Sequence, residues 1–123
     1  SSKETVSITK WQFCLSCKET VNLYVKLASD EIQSMQKSGK PALSSLEANQ
    51  LAHFICDHSS FNNFQPWMKF GCMKLMEDHS IDFLQQFAGY VTINDIINKA
   101  ENYGRKRRIC GKYAKACHPS EFK

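Results

Sequence analysis

The sequence predicts an all-α domain of four or five amphipathic helices stapled by three disulfides. Three observations predict it. Apolar residues recur at three- and four-residue steps along most of the chain, the spacing of one helix face. No stretch carries the period-two alternation between turn signals that marks a sheet, and Tyr90-Val91-Thr92-Ile93 is the one short β-leaning run. All six cysteines, an even number and a high one for 123 residues, fall on or beside the apolar faces. That length suffices for one domain and not for two ordinary ones.

The elements follow in order. Residues 1–10 form a polar, flexible N-terminal arm; the domain proper spans 11–117, and 118–123 is a C-terminal tail. From Trp11, Cys14, Cys17, Val21, Tyr24, Val25, Ala28, Ile32 and Met35 make one helical face, with Leu15, Leu23 and Leu27 widening it. Ser38-Gly39-Lys40-Pro41 ends this helix near Lys37. Ser44-Ser45-Leu46-Glu47 reads as a capping box for a second helix, which turns Leu51, Ala52, Phe54, Ile55 and Cys56 inward. The polar run 57–63 breaks it. Pro66 suits the first turn of a third helix with Met68, Cys72, Met73, Leu75, Met76, Phe83, Leu84 and Phe87 inward, ended by Gly89. Thr92 caps a fourth helix with Ile93, Ile96, Ile97, Ala100 and Tyr103 on one face and Gly104 as its stop. A last short helix carries Cys110, Tyr113, Ala114 and Cys117.

Charge is unevenly spread. Residues 99–123 carry a local +6 and residues 1–98 a local −2 within a net +4. The basic cluster is Arg105, Lys106, Arg107 and Arg108, with Lys112 and Lys115 beyond it. Three uses fit such a run: anionic lipid head groups, polyanions such as heparin or nucleic acid, or a proprotein-convertase site cut after Arg108. A solvated loop fits it as well. No nucleic-acid recognition motif accompanies the charge, so nucleic acid is not an expected partner.

The close pair Cys14-Leu15-Ser16-Cys17 has three chemical readings. A thioredoxin-like redox pair wants a strand before it and a βαβ context, which this chain lacks. A zinc site would draw on Cys110, Cys117 or His118, but no second tight Cys-x2-Cys or His-x3-His occurs, so no metal or other cofactor is expected. The third reading is two anchors for two disulfides in an oxidising compartment. No helical stretch approaches the ~20 apolar residues of a membrane span. The opening Ser1-Ser2-Lys3-Glu4-Thr5 is no signal peptide, so a secretory protein would be in mature form. His53, His58, His79 and His118 lack a nucleophile and an orienting partner, and no Gly-x-Ser-x-Gly, His-Glu-x-x-His or phosphate-loop motif occurs. The expectation is therefore a non-enzyme.

Cys14-x2-Cys17, 38 residues, Cys56, 15 residues, Cys72, 37 residues and Cys110-x6-Cys117, set on amphipathic helices, resemble the saposin-like family over roughly Trp11 to Cys117. The closing Cys-x6-Cys is similar to that of the canopy proteins, saposin-like residents of the endoplasmic reticulum. The resemblance implies the pairings Cys14–Cys117, Cys17–Cys110 and Cys56–Cys72. It implies a location in the secretory pathway, whether secreted, lysosomal or in the endoplasmic-reticulum lumen. It also implies lipid or membrane binding, as in lipid transfer or presentation, through Trp11, Trp67, Met68, Met73, Met76, Phe83 and Phe87. The same side chains at helical spacing equally suit an ordinary core. The expected mechanism has the basic segment drawn to an anionic membrane surface and the helical leaves opening near Gly39 and Gly89. The alternative is a protein-interaction module, either a folding helper with a client receptor or a secreted ligand. A membrane-permeabilising effector is a third. The sequence does not set the oligomeric state.

Overall fold

The computed structural model describes residues 7–39, 42–87 and 91–122. Helix α1 (Lys10–Gln36) is the spine. Thr9 caps it: its hydroxyl accepts from the Gln12 N–H while the Gln12 side chain accepts from the Thr9 N–H, at 3.3 and 2.9 Å. Ile8, ahead of Trp11, packs against the core. Gly39 takes φ +82° in the turn that follows α1, a conformation open to it because it lacks a Cβ.

Ala42–Leu43 (β1) pairs antiparallel with Val91–Thr92 (β2), Ala42 opposite Thr92. This small ladder corrects the strand-free reading. The β-leaning run near 91 finds its partner in a two-residue piece too short to show periodicity. Helix α2 (Ser45–His53) carries the expected Ser44–Glu47 capping box. Phe54, expected inward, is 64% exposed, because it caps the C-terminus of α2 at φ −102°, ψ 5° and leaves the helical register. Two 3₁₀ turns (Ile55–Asp57 and Ser59–Asn63) bridge to α3 (Pro66–Gln85), which has Pro66 at its start and a non-helical kink at His79. The expected stop at Gly89 lies outside the described residues.

Helix α4 (Ile93–Ile96), capped by Thr92, is a single turn. Asn98 then caps α5 (Lys99–Arg107) through a 3.0 Å bond from the Glu101 N–H. This second cap resets the helical phase. Ile97, Ala100 and Tyr103, expected on one buried face, are consequently exposed. Gly104 is not a stop. The helix runs on through it and widens into a π-helical turn (Arg108–Tyr113). The chain then leaves the helix, with Lys115 at φ 51°, so Cys117 lies beyond it. Residues 119–122 form a 3₁₀ turn that buries Phe122, so the tail is docked rather than loose.

Contacts fix the directions. Trp11 meets Trp67 and Tyr24 meets Phe83, so α1 and α3 run the same way. They cross closely: a Cβ on Gly71 would sit 2.1 Å from the Ser16 Oγ. The three disulfides join Cys14 to Cys117, Cys17 to Cys110 and Cys56 to Cys72, the pairing that the resemblance implies. The first two hold the C-terminal segment antiparallel to α1. The core is centred on Tyr24, Phe83 and Phe87, with Val21, Ile32, Leu75, Ile96 and Ile109 around them.

Tyr24 gives this core a pH signature. Its hydroxyl donates to the Ala48 carbonyl at 3.0 Å, and burial pushes its pKa up to about 12 from 10.0. Above pH 10 the unfolded chain gives up this proton while the folded one keeps it. Stability contributed by Tyr24 is therefore intact below pH 10 and declines by roughly 1.4 kcal/mol per unit as pH rises toward 12. Tyr24→Phe is expected to cost about 1 kcal/mol at neutral pH and to flatten this alkaline limb. Urea titrations of both proteins across that range check it, and identical alkaline limbs would refute the assignment.

Candidate functional site

The seven residues expected to meet lipid fall into two groups. Met68, Phe83 and Phe87 are buried, and Met76 packs partly buried against the same cluster. Met68, Phe83 and Phe87 are core, Phe83 meeting Tyr24 edge-on and Phe87 meeting it tilted with ring centroids 5.2 and 4.5 Å away, while Met76 also borders a recess of about 340 Å³ beside Ala52, His53 and Leu84. Trp11, Trp67 and Met73 face outward to differing degrees. Trp11 is 57% exposed and meets the half-buried Trp67 edge-on at 5.3 Å. Leu15 and Phe70, on the same two helices near this pair, are also exposed. Parallel packing puts the starts of α1 and α3 at one end of the molecule. The Cys14–Cys117 bond, one turn beyond Trp11, brings the C-terminal segment to that end.

The basic run does not act as one patch. Arg105 is only 6% exposed. Its guanidinium bonds Asp95 at 2.8 Å, the Gln86 carbonyl at 3.0 Å and the Asn102 Oδ1 at 2.8 Å, and lies 5.1 Å from the Phe87 ring centroid. A helix turns successive residues about 100° apart, so a four-residue basic run cannot face one way. Arg105 takes the inward position and its charge is matched by Asp95. Lys106 is half-buried beside α1. Desolvation lowers its pKa, Glu19 acts the other way, and Lys18 adds to the lowering.

Arg107, Arg108, Lys112 and Lys115 are the exposed members. Helical backbone across Arg108, with Arg105 sequestered, is the wrong shape for a convertase, which needs an extended strand. Lys112 lies 5.4 Å from the Tyr113 ring centroid. Arg107, Arg108 and Lys112 surround a recess of about 330 Å³ whose remaining walls are Gly111, Pro119 and Phe122. Among the described residues no carboxylate forms an ion pair with these three cations. Glu121, next to Phe122, turns instead to Lys18 at 3.9 Å.

Comparison of the chain with protein-family models, with curated proteins and with solved structures gives no match. Function must therefore be read from the chain's own surfaces.

Other features bear on that reading. Among the described residues no His/Cys/Asp/Glu cluster could hold a metal ion, and no helix is long and apolar enough to cross a membrane. His58 caps a 3₁₀ turn through the Ser60 N–H, and His79 lies 3.7 Å from Asp82. Sequence reasoning missed the groove of about 440 Å³ between α1 and α2, where Leu27, Leu51 and Ile55 form the floor and Glu31, Glu47 and Phe54 the rim. Nothing in a linear pattern marks it, because Phe54 reads as an inward position until the helix ends beneath it.

Proposed function

We propose that this chain is a non-enzymatic saposin-like protein that binds anionic membrane surfaces peripherally, in an oxidising compartment of the secretory pathway. Three disulfides support the compartment, since such bonds persist where thiols are not kept reduced. One observation carries the binding: the exposed Trp11, edge-on to the half-buried Trp67, lies at the end where Cys14–Cys117 ties down the cationic C-terminal segment. Tryptophan favours the headgroup level of a bilayer, with its ring among the upper acyl carbons and its N–H in water. Each basic residue near an anionic surface adds roughly 1 kcal/mol of attraction. Together they give an orientation as well as an affinity, with Leu15 and Phe70 beside the indoles. Lipid transfer would further require α1 and α3 to part and expose Phe83 and Phe87. The surface mode needs no such opening.

The experiment is co-sedimentation with phosphatidylcholine vesicles, with and without phosphatidylserine. Binding is expected only to the anionic vesicles, with a blue shift of tryptophan emission. Trp11→Ala is expected to weaken it about tenfold, and salt to weaken it progressively. Equal partitioning onto neutral and anionic vesicles, or onto neither, would remove this reading. The apolar groove floored by Leu27, Leu51 and Ile55 favours a second one, a protein-interaction module that recognises an apolar segment.

A further inference from the structure

The recess at the π-helical turn is more ordered than a chance gathering of basic side chains. The Ala114 N–H donates to the Ile109 carbonyl, five residues back, at 2.9 Å. This widens the turn that bears Arg107, Arg108, Gly111 and Lys112. Such π-turns are costly to a helix and occur disproportionately at functional sites.

Arg108 is held in place. Its Nε donates to the Gln86 Oε1, and its guanidinium lies over Gly104, where an added Cβ would be 3.1 Å from the terminal nitrogen. The Nε bond leaves the two terminal nitrogens of the fork available to an incoming group. Gly111 plays a matching part: an added Cβ would be 3.3 Å from the Phe122 ring, so the glycine lets that ring close the floor. Phe122 is itself buried beneath the recess and anchored by Tyr103 and Lys18.

The site thus offers three cationic groups, one of them preset as a planar fork, over an aromatic floor. Elsewhere on the same helix the protein matches Arg105 with Asp95, yet among the described residues no carboxylate pairs with Arg107, Arg108 or Lys112. A monoanion would leave most of this charge uncompensated. A dianionic tetrahedral group accepts from both guanidinium forks and from the lysine at once.

We propose that this recess is a binding site for a phosphomonoester dianion, its ester stem lying against Phe122. The ligand is either the headgroup of a phosphomonoester lipid or a free phosphomonoester. Only the lipid source rests on the membrane reading above.

Titration calorimetry of the intact, oxidised protein tests it with three probes: dihexanoyl phosphatidic acid, dihexanoyl phosphatidylglycerol and glycerol 3-phosphate, the lipids kept below their micelle concentrations. Phosphatidic acid, a phosphomonoester, is expected to bind at least ~10-fold more tightly than phosphatidylglycerol, a phosphodiester of single charge. R107Q/K112Q should abolish that preference. These are exposed side chains, and an unchanged thermal midpoint would show that the fold is intact. Arg107→Lys should fall between, keeping charge but losing the fork.

Glycerol 3-phosphate binding as tightly as phosphatidic acid assigns the site to free phosphomonoesters. Weaker binding assigns it to the lipid, with Phe122 reading the stem. Equal affinity for the two lipids, or a preference that survives R107Q/K112Q, overturns the proposal. Vesicle binding without phosphomonoester preference would sink this site alone. Probe binding without any vesicle binding would sink the membrane reading and leave the site standing.

Discussion

Removing both bonds between α1 and the C-terminal segment, as C14A/C17A/C110A/C117A, is expected to cost about 7–8 kcal/mol, while removing either bond alone costs about 3 kcal/mol. The asymmetry comes from nesting. Cys14–Cys117 and Cys17–Cys110 span 103 and 93 residues and close almost the same loop. In the chain-entropy account the first to form restricts the unfolded chain by about 4.7 kcal/mol. The second then closes only the small ring made by the short steps from Cys14 to Cys17 and from Cys110 to Cys117, worth about 3 kcal/mol. A domain of this size has roughly 5–15 kcal/mol in total, so the four-fold variant should lose about half of it or more. Either two-fold variant should fold with a lowered denaturation midpoint. Equilibrium urea titrations of C14A/C117A, C17A/C110A and the four-fold variant measure all three quantities. Two-fold variants each as unstable as the four-fold one would show that the bonds act through native packing and not through nested loops. Cys17 and Cys110 are fully buried, so C17A/C110A should be slightly the worse of the pair.

What was legible in the sequence follows from the range of each signal. Capping is local: Ser44 with Glu47 and the single-residue cap Thr92 were readable because a helix start is decided by side chains within one turn of it. The face of α1 was readable because 27 consecutive helical residues keep one phase. Phase fails wherever the backbone resets it. Asn98 restarts the helix after α4, and the inward assignments of Ile97, Ala100 and Tyr103 failed together for that one reason. Gly104 failed differently. A glycine near a basic run reads as a stop, yet here its missing Cβ makes room for the Arg108 guanidinium inside a continuing helix. The β1–β2 ladder was illegible because two-residue strands are fixed by tertiary position, not by pattern.

The candidate site was legible in composition but not in geometry. The sequence located the cationic segment and the tryptophans, because charge and aromaticity are properties of residues. It could not divide Arg105 from Arg107 and Arg108. That division depends on Asp95, ten residues away from Arg105, and on the Gln86 carbonyl, 19 away. Nor could it place Phe122 under the recess, since a tail of six residues carries no periodicity.

Phe83→Ala is expected to lower stability by about 3–5 kcal/mol, and this decides between the two roles open to that side chain. Phe83 is fully buried, edge-on to Tyr24 at 5.2 Å and tilted against Phe87 at 5.5 Å. Truncation removes the ring from both contacts and leaves a void that the surrounding helices fill poorly, because α1 and α3 are already held at close approach where Gly71 meets Ser16. The kink at His79 lies one turn before Phe83, and Phe87 follows just past the C-cap of α3, Gln86. Phe83→Leu keeps most of the volume and should cost nearer ~1–2 kcal/mol. Trp11→Ala, at an exposed position, should cost less than ~1 kcal/mol while weakening vesicle binding. A side chain that lined a lipid cavity would show the opposite pattern: little change in the stability of the lipid-free protein, and a large change in lipid uptake. Denaturation of lipid-free Phe83→Ala and Trp11→Ala, set beside their vesicle binding, separates the cases. A cost below about 1 kcal/mol for Phe83→Ala would show that the aromatic cluster is an openable cavity, and would return Phe83 and Phe87 to the lipid-contacting group.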